Sequence, residues 1–214
     1  DTAIGHRLGA DTTERVLDWA CELGVRHITL YAFSTENFRR EKSELESLFA
    51  LFQEKFAAVL TDERVHKKRI RVRMIGDRSL VPDDILTTID AAEKATLHYD
   101  DYYINIALAY GGRNEIVHAA RSILDGVKKG VIDPEVINPM TVESHLNRGA
   151  PIPPVDLIIR TGNDYRTSNF LTWLANGHES AVYFCAPYWP AFRKIDLLRA
   201  IRVYDQRMRL KERT

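Results

Sequence analysis

The run YINIALAY at residues 103–110 has the length of a strand and is apolar at every position but one. A strand covered on both faces reads this way, whereas a half-exposed strand alternates apolar with polar residues. Four further runs of strand length are rich in Ile, Val, Leu, Tyr and Phe, and most of the five are continuously apolar: HITLYAF (27–33), IRVRMIG (70–76), VDLIIRT (155–161) and AVYFC (181–185). Between them lie stretches of helical period. Residues 11–23 open on an Asp-Thr-Thr-Glu cap signal and close at Gly24. Residues 43–60 set Leu45, Leu48, Phe49, Phe52 and Phe56 along one side. Residues 82–97, 114–127 and 195–208 complete the set. Strands alternating with helices predict an α/β fold, with a mainly parallel central sheet flanked by helices. No linker or repeat divides residues 1–214, and GAPIPP (149–154) reads as a loop entering a strand, so one domain is expected.

Composition narrows the function classes. Thirty basic and thirty acidic residues cancel, so no global field recruits nucleic acid, and any anion site must be local. The one basic run, KKRIRVR (67–73), reads as a solvated turn entering a strand, and nucleic acid is not an expected partner. Two cysteines, Cys21 and Cys185, suit a reducing compartment and a cytoplasmic location. No apolar run reaches the roughly 18–20 residues that span a bilayer. His and Cys spacing offers no zinc site, and the Gly-rich nucleotide-binding loops are missing.

Ligands of parallel sheets gather beyond the carboxyl ends of strands. Three such ends are dense in polar residues: STENFRR (34–40), GGRNE (111–115) and RTGNDYRTSN (160–169). In the last, Arg160 ends a strand while Arg166 and Ser168 approach what reads as the next helix start. Helix N-termini favour anions, and guanidinium forks suit phosphate oxygens. That reading makes a diphosphate receptor; the other pairs both arginines with Asp156, Asp164 or Glu179. His6, in a Gly-flanked segment, reads alone as a local hydrogen-bonding residue.

In this order the segments resemble the cis-prenyltransferases, the undecaprenyl diphosphate synthase family. The matching residues are GHRLG (5–9), ITLYAFSTENFRR (28–40), NIALAYGGRNEI (105–116) and DLIIRTGNDYRTSNFLTW (156–173), followed by Glu179 and YFCAPYWPAF (183–192). The likeness covers nearly the whole chain, and its Arg-x5-Arg-x-Ser-Asn-Phe element is specific. It implies an enzyme that adds isopentenyl diphosphate to an allylic diphosphate primer with Z geometry, making a polyprenyl diphosphate. Carried over by position, Arg160, Arg166, Thr167 and Ser168 hold isopentenyl diphosphate, and Glu179 serves a Mg2+ ion. His6 and Arg40 contact the allylic diphosphate, while Ser34, Thr35, Glu36 and Phe38 line the reacting centre. Asn37 matches the catalytic asparagine; a neutral amide is a very poor base, so its expected work is positioning. The resemblance further implies a homodimer and peripheral membrane contact through the lipid product. An apolar tunnel would house the growing chain, with the faces of 43–60 and 82–97 as its expected walls.

Departures from the family pattern are local. The family's Asp-Gly-Asn segment belongs upstream of GHRLG and is expected before residue 1. Thr2 stands where an arginine is common, Phe38 replaces the usual tryptophan, Asp164-Tyr165 replaces a glutamate and its neighbour, and Ala191 replaces an acidic residue. The main competing reading is a non-catalytic partner subunit of a two-component synthase, but such subunits tend to lose the phosphate-binding residues kept here. A trans-type synthase fails because neither Asp83-Asp84 nor Asp100-Asp101 is followed by the third aspartate its motif needs. A phosphate-sensing α/β module would explain the arginines but not the tunnel-like helices.

Overall fold

The computed structural model describes residues 2–175 and 180–211. Among them, three parallel strands form one sheet in the order β1-β3-β2: β1 (His27–Ser34), β3 (Tyr102–Tyr110) and β2 (Ile70–Ile75). A second parallel pair joins β4 (Leu157–Arg160) to β5 (Ala181–Phe184), with Arg160 opposite Phe184. All five strands coincide with the apolar runs to within two residues at either end.

Period-two alternation, reset at the left-handed Ala109 (φ 51°), distributes the sheet's side chains between two cores. Phe33, Val72, Met74, Ile104 and Leu108 face α2 (Lys42–Val59) and α4 (Asp83–Thr96), which supply Leu48, Phe56, Ile85, Ile89 and Ala92. Ala107 and Tyr110 face the opposite side, against Ala119 of α5 (Gly112–Lys128), Leu146, Leu171 and Leu174. A third core joins Val16 of α1 (Thr2–Glu22), Cys185, Phe192 and Leu197 of α7 (Lys194–Lys211). The short helices α3 (Glu63–Lys67) and α6 (Pro139–His145) are not legible as periodic runs. A stretch of five or seven residues is too short for an amphipathic period to show.

Two helix starts differ from the sequence reading. α1 does not begin at residue 11 but runs back to Thr2, through GHRLG. The Thr12 and Thr13 hydroxyls donate to Pro190 O and Gly9 O, each at 3.0 Å, rather than capping a helix. The indole Nε1 of Trp189 also donates to Gly9 O at 3.0 Å, so tertiary packing carries the helix past its glycines. The expected stop is kept, with Gly24 at φ +74°. In addition, no helix begins at Ser168. Ser168, Asn169 and Leu171 all have left-handed backbone (φ 52°, 61° and 47°), and this segment is a series of turns.

Three of the five cations in the basic run are locally paired. Lys67, Lys68 and Arg69 pair with Glu63, Asp18 and Asp100 at 2.6, 2.9 and 2.6 Å. Cys21 and Cys185 are free thiols. Among the described residues, no helix is long and apolar enough to cross a membrane.

Candidate active site

The register of β1 on β3 slips between Tyr31 and Phe33 and again before Ser34. Irregularities of this kind bend a strand and re-aim its last side chains. Here they turn the end of β1 into a cleft of about 640 Å³ at the carboxyl end of the sheet. Its lining brings together Ser34, Glu36, Asn37 and Arg40 from the β1 end, Arg113 from the start of α5, and Arg160, Arg166 and Ser168 from beyond β4. Three segments widely separated in sequence thus converge, as the strand-end reading anticipates. Four arginines face one glutamate in this lining, a local excess of positive charge that suits anions. A smaller cavity of about 420 Å³ lies across the β3–α5 turn. Its lining carries Asp77, Glu115, His118 and His145 but no arginine, which does not suit a diphosphate.

The structure pairs both arginines of the segment with Asp164 and still leaves them on the cleft. Arg160 Nη2 and Arg166 Nη2 donate to the same oxygen, Asp164 Oδ2, at 2.6 and 3.1 Å. The guanidiniums, Arg160 foremost, hold the Asp164 carboxyl below the usual carboxylate range. Both arginines nonetheless line the cleft, and Arg160 Nε is buried without a protein acceptor. Asp164 therefore gathers the two forks without using all their donors. The positive charge of the cleft comes from these side chains and not from a helix N-terminus, because no helix starts at Ser168.

Arg40 is held from outside the cleft. Its Nη1 donates to Glu44 Oε1 at 2.6 Å, and His6 Nε2 lies 3.2 Å from the same oxygen. Arg40 first, then His6, lowers the Glu44 carboxyl from its ordinary value. His6 itself does not line the cleft; it stands in the second turn of α1, connected to the cleft through Glu44 and Arg40. Asn37 Oδ1 accepts the Ser34 N–H at 2.9 Å, which fixes the turn of residues 35–39 against the strand end. An amide so engaged orients the turn.

Thr35 and Phe38 are not lining residues. The Thr35 hydroxyl donates to Glu36 Oε2 at 3.3 Å. Phe38 instead meets Phe33 edge-on at 4.9 Å and joins Phe49 in the aromatic layer over α2. Thr167 is exposed and also off the lining. Glu179 lies outside the described residues.

Tyr31, Arg113 and Asn169 also line the cleft, although the sequence reading does not single them out as site residues. Tyr31 stacks on Phe170 at 4.5 Å and donates to Ser168 O at 3.2 Å. Burial, and then the Glu36 charge, pushes its phenol up to about 12, so it stays protonated as a donor. Arg113 and Asn169 sit in the polar strand-end segments, and that density is the signal that could have marked them.

The fold and this site have clear relatives. The family model described as putative undecaprenyl diphosphate synthase matches residues 1–211. A tritrans,polycis-undecaprenyl-diphosphate synthase (geranylgeranyl-diphosphate specific) of Methanosarcina mazei is 51% identical over 98% of this chain and 71% of its own length. A synthase of the same name from Methanocaldococcus jannaschii is 46% identical over 98% of this chain and 74% of its own. Among solved structures, lavandulyl diphosphate synthase from Lavandula x intermedia, in complex with dimethylallyl diphosphate, superposes with a TM-score of 0.87. It shares 31% identity, covering 95% of this chain and 86% of that one. A probable undecaprenyl diphosphate synthase from Campylobacter jejuni gives 0.78 at 30% identity, covering 93% and 89%. An arginine-lined cleft at the strand ends of a parallel sheet, and a match along almost the whole chain, place this protein in the undecaprenyl diphosphate synthase family, the cis-prenyltransferases.

Proposed function

We propose that the protein condenses isopentenyl diphosphate onto an allylic prenyl diphosphate with Z geometry, releasing diphosphate and building a polyprenyl diphosphate. The observation that carries this is the convergence of Arg40, Arg113, Arg160, Arg166 and Ser168 on one cleft. In the reaction the allylic C–O bond breaks, and its electron pair leaves with diphosphate. The isopentenyl double bond attacks the electron-poor carbon, and a proton is then lost. Fixed cations around the leaving group stabilise the charge that develops on it. Arg160, Arg166 and Ser168, with Thr167 at its rim, would hold isopentenyl diphosphate. Arg40, braced by Glu44 and His6, would hold the allylic diphosphate. Asn37 would position the reacting centre beside Ser34, Thr35 and Glu36, with released diphosphate accepting the proton.

The partner-subunit alternative is disfavoured by the same set, since a scaffold has no use for four arginines in one cleft. The relatives' names make geranylgeranyl diphosphate the first primer to test.

For magnesium, no group of three or more His, Cys, Asp or Glu residues able to hold a metal occurs among the described residues. Magnesium needs few protein carboxylates when substrate phosphates supply its other oxygens. The cleft, with Glu36 as its one lining carboxylate, fits an ion that arrives on the diphosphate, with Glu179 as the protein ligand. Bound there, the ion would neutralise phosphate charge.

Phe33 lines the cleft and touches Phe38, Phe49 and Phe52, so an aromatic row leads from the site toward α2. That row, between α2 and α4, is the proposed start of the tunnel for the prenyl chain. The chain would act as a homodimer in the cytoplasm, meeting the membrane through its lipid product. Its seam would lie along the apolar, aromatic residues 182–192, of which Cys185 and Phe192 are spent in the core while Val182 and Tyr188 are exposed. A monomer in sedimentation at micromolar concentration would remove the dimer.

The deciding experiment incubates the intact protein with labelled isopentenyl diphosphate, geranylgeranyl diphosphate and magnesium. Polyprenyl diphosphate with Z double bonds is the expected product; no elongation of any allylic primer would overturn the function.

A further inference from the structure

We propose that Asn169 is a positioning residue that staples the isopentenyl diphosphate half of the cleft to the start of α5; the inference rests on the function proposed above. The first N–H groups of a helix lack intrahelical acceptors. At α5, Asn169 takes two of them: its carbonyl accepts Gly112 N at 2.8 Å, and its Oδ1 accepts Arg113 N at 2.9 Å. These are the donors an anion at a helix N-terminus would otherwise use. The diphosphate is thereby left to the arginines and to Ser168.

On its other side, Asn169 Nδ2 reaches toward Glu36 Oε1 at 3.5 Å, tying the β1 end to the same point. One amide side chain thus joins all three segments of the cleft. The backbone supports the same reading. Ser168 and Asn169 are both left-handed, a conformation asparagine tolerates and serine adopts only when its surroundings enforce it. The enforcement comes from the two bonds to α5 and from Tyr31, whose hydroxyl holds Ser168 O at 3.2 Å. Releasing Asn169 would let Ser168 and Arg166 drift from Arg113.

The test separates side chain from backbone. Asn169→Gly permits the left-handed backbone and keeps the carbonyl for Gly112 N but deletes the side-chain bonds of the staple, and Asn169→Asp keeps an oxygen for Arg113 N. In the intact protein, Asn169→Gly should raise KM for isopentenyl diphosphate about five- to tenfold, the loss of one or two hydrogen bonds. KM for the allylic primer should stay within about twofold by the same reasoning. Hydrogen exchange at the Arg113 amide should quicken in Asn169→Gly and be restored in Asn169→Asp. Unchanged Arg113 exchange in Asn169→Gly, or equal rises in KM for both substrates, would overturn the staple. A wild-type protein that elongates nothing would instead overturn the proposed function, while amide exchange would still decide whether the staple exists.

Discussion

Gly112→Ala sets two effects of opposite sign against each other. Gly112 opens α5, and alanine is favoured over glycine within a helix by about 1 kcal/mol. Its φ is not left-handed, so backbone conformation raises no obstacle. Space does: a Cβ there would lie 2.2 Å from Thr172 Oγ1 and 2.9 Å from Asn169 O. The threonine can rotate away only by giving up its 3.4 Å contact with Asn169 Oδ1. The backbone carbonyl cannot retreat without losing the Gly112 N–H bond at 2.8 Å. Overpacking of this kind costs about 1–3 kcal/mol, which outweighs or at least cancels the helical gain. The expected net destabilisation is about 0–2 kcal/mol in denaturant unfolding. A higher KM for isopentenyl diphosphate should accompany it, because the displaced residue adjoins Ser168. Gly5→Ala is the control: it lies in α1, and a Cβ added there would meet nothing within 4 Å, so only the helical gain applies. Should Gly112→Ala gain stability as Gly5→Ala does, the close packing of α5 on residues 169–172 is wrong.

Arg160→Ala or Arg166→Ala should weaken isopentenyl diphosphate binding about 10- to 100-fold, the worth of a charge-assisted bond, as measured by titration calorimetry. Equal losses for the allylic primer would mean the two subsites are misassigned. Glu179→Gln should lower turnover sharply and raise the magnesium requirement in a metal titration; unchanged magnesium dependence would return Glu179 to a structural role. Burial raises the Glu115 carboxyl above its ordinary range. Its share of stability is therefore full below about pH 4, where the unfolded carboxyl is protonated, and is lost as pH rises through the folded value. Glu115→Gln should accordingly gain on the wild type as pH rises above about 4 in parallel denaturant titrations; a constant offset would show that burial does not disfavour the Glu115 carboxylate.

The strands, most of the long helices and the polar strand ends are legible because each depends on local pattern. Continuous apolar runs mark strands covered on both faces, and three- and four-residue spacing marks helices. The misreadings share one cause. Gly5, Gly9 and the Asp-Thr-Thr-Glu segment look like a helix boundary, but Trp189 and Pro190, some 180 positions away, satisfy the groups that would have ended or capped the helix. Ser168 looks like a helix start, yet the bonds of its neighbour Asn169 to Gly112 and Arg113, and its own to Tyr31, fix it in left-handed turns. By itself the sequence determined the fold class and the polar strand ends that meet at the cleft, since periodicity and residue type are properties of short segments. Only the tertiary structure decided that Arg40, Arg113, Arg160 and Arg166 share one cleft, that Phe38 turns to the core, and that Asn169 occupies the α5 amides. Those facts depend on strand register and loop conformation, which are set by contacts between segments distant along the chain.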